Sequence, residues 1–423
     1  MLSQQPHFDK RGETVAQNHP ATPRRYLHEV DLMRIIFIGG VLLNHTTTAF
    51  ASRLVATSNS HLVLEMTHLM LHFTRMGFMF MSGLVLVLNY YHRDPHWWHF
   101  WRKRYLSVGV PYVGWNTIIL LVVTLGAGKA IDWAAYWAHL GNAVQYGNEY
   151  YMYYILVTFQ LYLIFPLLVG LFKRFPDRHL AILGFSVVIQ FLLLIWLKYW
   201  FPQLDRSNWW YLFRYYGNNV LVYQVYFVAG AFVAIHYDDV DAWIQAHHRL
   251  LGWTTLVLAL GTIGLYFGDQ NVLHLSLGAT QSVHQPYIMV YDLFMIAFVF
   301  WLGRQYAHAR EHGLPVFLDQ SIKALAKVSF GLYLVQTLPL LVLDGALTQI
   351  HLPAWALLAL LPVGYAWVLG GSFAIAWFCY RVPPFGALIG RPQWHPWKGV
   401  HAYVQNHVKT HPTITAGDKS ETH

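Results

Sequence analysis

Apolar residues along this chain fall into ten runs separated by short polar segments, at about 30–50, 69–90, 106–126, 151–172, 180–200, 217–236, 250–268, 286–303, 326–347 and 353–380. Each run approaches the roughly 20 residues an α-helix needs to cross a bilayer. None shows the two-residue alternation of a membrane β-barrel strand, and lipid admits no open sheet, so the runs predict helices. Between the runs, two segments carry apolar residues at helical spacing. One holds Trp133, Trp137, Leu140 and Val144; the other holds Phe317, Leu318, Ile322 and Leu325. Both predict amphipathic helices, packed on the bundle or lying at the membrane surface. The expected fold class is all-α, a polytopic bundle of about ten transmembrane helices over residues 30–380. A polar tail, 1–29, precedes it, and a tail rich in His, Pro and Thr, 381–423, reads as largely disordered.

Composition agrees: of 423 residues, 56% are hydrophobic and 11% charged, which excludes an ordinary soluble domain. Many of the 18 Trp, 27 Tyr and 26 Phe lie where apolar runs meet polar segments, as interfacial belts do. Residues 1–29 lack the apolar core of a signal peptide, so the first run is expected to remain as a membrane helix. Lys and Arg gather in the tails and in alternate connecting segments. The opposite segments hold only Arg53, Lys129, Lys198, Arg206 and Arg214. The positive-inside rule then places both termini in the cytoplasm. This bias accounts for the net charge of +8, so no nucleic-acid partner is implied. The single cysteine, Cys379, excludes an internal disulfide and a Cys-rich centre, and no metal is expected.

Charged and polar residues inside the runs carry the chemistry. In DLMRIIFIGGVLLNHTTTAF (31–50), Arg34 and His45 are eleven residues apart, three helical turns plus about 20°. They share one helix face and stand about 16 Å apart along the axis. Asp31, one turn before Arg34, is placed to pair with it. An arginine at the end of a span can snorkel to the headgroups, whereas a histidine at the depth of His45 calls for a bundle interior or an aqueous cavity. The second run adds His72 and Arg75, three apart and so on one face. Arg102, Lys103 and Arg104 follow it. As a topology signal they need no further role; as chemistry they suit a phosphate-bearing ligand.

An arginine, ten residues and a histidine in the first of ten spans resembles the acyltransferase-3 family of integral membrane O-acyltransferases. The likeness continues in order through RMGFMFMSGLVL with Arg75, WRKRYLSVGVPYVGW, YYMYYILVTFQLYLIFPLL with Pro166, YQVYFVAGAF with Gly230 and KVSFGLYLVQ. It covers about 30–380. Departures fall at Tyr151 and Gln336, where the family often has histidine, and at Ser107, where it often has a basic residue. Many relatives also carry a fused extracytoplasmic esterase-like domain, which these 423 residues do not include.

The resemblance implies a multi-pass protein of a cell membrane, the bacterial plasma membrane, that transfers an acyl group, usually acetyl. No cofactor is bound permanently; cytoplasmic acetyl-CoA, or another acyl-CoA, is the donor substrate. The acceptor is a hydroxyl of a surface glycan or lipid-linked sugar. Membrane lipid and a polysaccharide-synthesis machinery or separate extracytoplasmic transferase are the further partners. His45 is expected to act as general base or acyl carrier and Arg75 to hold the oxyanion. Arg34, Arg102 and Arg104 are expected to hold the donor phosphates, and Glu149, Tyr151 and Gln336 to contact substrate. The alternative is an exporter of a surface polysaccharide or acylated metabolite, which would use the same polar path.

Overall fold

The computed structural model describes residues 26–128 and 130–391. The expected disorder of the C-terminal tail concerns residues that, from 392 on, lie outside this range, as does most of the polar N-terminal segment. Among the described residues the secondary structure is helical, without strands. The first apolar run forms α1 (His28–Ala51), and the second is split into α2 (Asn59–Leu71) and α3 (Phe73–Tyr90) with His72 at the joint. Then come α4 (Trp97–Gly126), the amphipathic α5 (Trp133–Tyr146), α6 (Tyr153–Arg174) and α7 (His179–Tyr199). A short α8 (Tyr211–Arg214) and 3-10 turns lead to α9 (Gln224–Ile235) and the long α10 (Tyr237–Asn271). After α11 (Leu277–Thr280) follow α12 (Pro286–Glu311), α13 (Val316–Val335), α14 (Thr337–Gln349) and α15 (Ala354–Arg381).

All ten apolar runs are helical, but they are not ten equal spans. Seven helical stretches among the described residues are long and apolar enough to cross a membrane, or eight if the bent pair α13–α14 is one span. The two runs that fall short do so for different reasons. Helix α1 has the length, but Arg34, Asn44, His45 and three threonines lower its apolar character. It is walled in by α2, α3, α12, α13, α14 and α15, so protein rather than lipid surrounds it. Helix α9 has only 12 residues. It packs face to face on α3 through Gly83 and Gly230. A Cβ on Gly83 would stand 2.1 Å from the Phe227 carbonyl oxygen, and one on Gly230 2.0 Å from that of Phe80. Only glycine permits backbones this close.

The break between α13 and α14 bends the ninth run by 57°. Pro339 explains it, because its ring denies a hydrogen bond to the Val335 carbonyl and crowds it. The amide of Gln336 caps the break by donating to the Tyr333 carbonyl (2.9 Å).

Two readings of the connecting segments change. In α5 the side chains that face the bundle are Tyr136, Leu140 and Ala143, whereas Trp133 and Trp137 are exposed. Tyr136 donates to the Thr117 carbonyl and Tyr112 to those of Ala143 and Val144, which ties α5 to α4. The segment around Phe317 is no separate surface helix but the first turns of α13, with Phe317 and Leu318 exposed. The chain also remains folded beyond Arg381. A 3-10 turn, Phe385–Ile389, packs on α4, α13 and α15, and Trp115 donates to the Leu388 carbonyl (2.8 Å).

Candidate active site

Helices α1, α3, α4, α6 and α13 surround a cavity of about 360 Å³, closed on one side by the turn that ends at Arg391. That volume lies in the range of small-molecule and cofactor sites. Arg34, His45, Arg75, Arg104 and Tyr151, drawn from sequence positions far apart, all line it. Since α1 runs unbroken from His28 to Ala51, Arg34 and His45 keep their common face and their separation of about 16 Å.

At one end His45 lies flat against Tyr151, with ring centroids 3.4 Å apart and planes 25° from parallel. Tyr151 is fixed from behind, because the Tyr333 hydroxyl donates to its carbonyl and Gln336 holds the Tyr333 carbonyl. His72, between α2 and α3, faces the same space, and its ring packs edge-on against His68 with centroids 4.5 Å apart. Arg75 donates to the Tyr153 hydroxyl, and its guanidinium stands 5.6 Å and 5.7 Å from the centroids of the Tyr153 and Tyr223 rings. Aromatic faces thus hold this buried cation, with an electrostatic contribution from the ring quadrupoles.

Arg34 lines the cavity about three helical turns away along α1 and pairs with Asp31 (3.6 Å), itself held by the Tyr26 hydroxyl (2.7 Å). Arg104 stands over the rings of Tyr90 and Phe100. Lys327 from α13 and Arg391 complete a group of four cations in the lining. Four polar atoms in the walls are buried and have no partner within the protein: Asn44 Oδ1, His72 Nε2, Arg75 Nε and Arg104 Nε. Buried polar atoms are costly when unpaired, so such walls suit a polar, anionic ligand.

Three candidates lie elsewhere. Arg102 is exposed and outside the lining. Residues two apart on a helix point about 200° from one another, so Arg102 and Arg104 cannot both face inward. Glu149 accepts from His139 Nε2 at 2.5 Å and fastens the end of α5 rather than lining the cavity. Gln336 is fully buried at the α13–α14 break, behind Tyr333. Lys198, counted among the outer charges, is buried in α7 and bonded to both carboxylate oxygens of Asp269 (2.8 Å) and to Gln285 (2.6 Å).

Lys327, Arg391, Tyr153 and Tyr333 in the lining, and Asp292 behind it, are not among the residues that the sequence pattern singles out. Asp292, in α12, has no exposed surface; its Oδ2 accepts from the Tyr226 hydroxyl (3.0 Å) and its Oδ1 has no partner within the protein. A carboxylate in the apolar run 286–303 was the available signal. Lys327 and Arg391 gave none, since one sits at the edge of a run and the other in the tail beyond the last, where positive charge is ordinary.

No curated protein and no solved structure matches the chain significantly. Residues 27–381, nearly all of the helical region, match the family model of the acyltransferase-3 acyltransferase domain. An all-helical, multi-pass membrane protein with this match is an acyltransferase, and the chain belongs to the acyltransferase-3 family.

Proposed function

We propose that the protein is an O-acyltransferase that moves an acyl group, acetyl in the first instance, from a cytoplasmic acyl-CoA to a hydroxyl of a cell-envelope glycan or lipid-linked sugar. The observation that carries this reading is one cavity shared by a group of four cations and, about 16 Å along α1, by the His45–Tyr151 stack. An extended pantetheine arm has roughly that reach. Arg34, Arg104, Lys327 and Arg391 would hold the donor phosphates, and the thioester would lie beside His45 and Arg75.

His45 Nε2 or Nδ1 accepts the proton of the acceptor hydroxyl as its oxygen attacks the thioester carbonyl. Arg75 balances the negative charge on the carbonyl oxygen in the tetrahedral intermediate. The carbon–sulfur bond then breaks, the ester remains on the acceptor, and the proton passes from His45 to the departing thiolate. The stack on Tyr151 keeps the imidazole in one orientation throughout. With both termini in the cytoplasm, the Arg34 end faces the donor pool and the His45 end the envelope.

Mass spectrometry of envelope glycans from cells with and without the gene tests the reading. Loss of one acyl group from one sugar is expected. Glycan retained inside the cell with its acyl content unchanged would favour export instead.

A further inference from the structure

The last turn of α12 carries His308, Glu311 and His312, all exposed, at positions that the acyltransferase reading does not use. We propose that these three side chains bind a divalent transition-metal ion of the Zn2+ class. One ligand atom from each lies within 4.8 Å of the others, and the two imidazole centroids are 4.0 Å apart. Histidines at i and i+4 present their rings from one helix face, the spacing by which helices hold zinc. Glu311, one residue before His312, adds the carboxylate oxygen of a two-histidine, one-carboxylate donor set.

Three features beyond the spacing favour a cation. His312 Nδ1 is hydrogen-bonded to the His308 carbonyl at 2.8 Å. A backbone carbonyl only accepts, so Nδ1 carries the proton and Nε2 keeps its lone pair for a metal. The position is the C-terminal turn of a 26-residue helix, where unpaired carbonyls favour positive charge. Arg310, which would otherwise repel an ion, pairs with Asp319 of α13 at 2.5 Å and is drawn to the other side of the helix. The ligands are imidazole and carboxylate, so Zn2+, Ni2+ and Cu2+ suit the site better than Mg2+ or Ca2+. This turn packs near the start of α1, at the Arg34 end of the bundle, where Arg304 of α12 pairs with Glu29.

The test is a Zn2+ titration of the full chain, purified in detergent without a histidine tag, against a chromogenic chelator. His308→Ala and His312→Ala are each expected to remove one Zn2+ equivalent relative to the unaltered chain, and Glu311→Gln to weaken that equivalent. Because the three side chains are exposed, the variants should keep the thermal unfolding of the unaltered chain when Zn2+ is withheld. Unchanged stoichiometry in both histidine variants would overturn the proposal, as would equal displacement of Zn2+ by Mg2+.

Discussion

His45 and Tyr151 lie ring on ring, 3.4 Å between centroids and 25° from parallel, and both line the cavity that Arg34 also reaches. The stack joins α1 to the segment that leads into α6. Tyr151→Ala should free the ring and lower the transfer rate about two- to tenfold, from loss of an aromatic pair of about 0.5–1.5 kcal/mol. Tyr151→Phe should retain most of the rate, because the ring and not the hydroxyl makes the contact. Single-turnover transfer by the two variants separates these outcomes.

Arg75 has a different requirement. Its guanidinium is held between the Tyr153 and Tyr223 rings and donates to the Tyr153 hydroxyl. Lysine keeps the charge but not the planar fork, so Arg75→Lys should lower kcat by about 10²–10³, the cost of one oxyanion donor. KM for the donor should change little. A variant whose KM rises while kcat is kept would show that Arg75 binds the ground state only.

Arg104 and Arg102 offer a paired control. Only Arg104 lines the cavity, its charge beside the Tyr90 and Phe100 rings. Arg104→Ala should weaken acyl-CoA binding by about 1.5–3 kcal/mol, as loss of a charged hydrogen bond does, and Arg102→Ala should leave it unchanged. Equilibrium binding of a non-hydrolysable acyl-CoA analogue reads both.

The α3–α9 contact predicts a stability effect remote from the cavity. A methyl group at Gly83 or Gly230 meets a carbonyl oxygen of the opposite helix at about 2 Å. Gly83→Ala and Gly230→Ala should each destabilise the bundle by about 1–3 kcal/mol and lower its unfolding temperature in detergent. The Lys198–Asp269 pair should behave similarly. Asp269→Asn leaves a buried ammonium short of its counter-charge, a loss of about 3–5 kcal/mol.

Much of this was legible in the residues because helical geometry is local. The ten apolar runs mark the helices, and the eleven-residue interval places Arg34 and His45 on one face whatever surrounds them. The same geometry separates Arg102 from Arg104, and residue spacing alone was enough to see it. Relations between helices were hidden. Nothing local brings Lys327 of α13 and Arg391 beyond α15 into the cavity that Arg34 lines, or lays Tyr151 on His45. Gln336 marks a different limit. It reads as a polar residue near a site, but Pro339 breaks the helix there and the amide is consumed in capping the break.

The proposed transfer at His45 lies about 16 Å along α1 from Arg34. Its most direct measurement is acyl transfer from labelled acetyl-CoA by the purified chain, beside a His45→Ala variant of unchanged unfolding temperature. The variant is expected still to bind acetyl-CoA and to lose transfer by about 10²–10⁴, the contribution of a general base. A folded His45→Ala protein that transfers the label at the unaltered rate would contradict it.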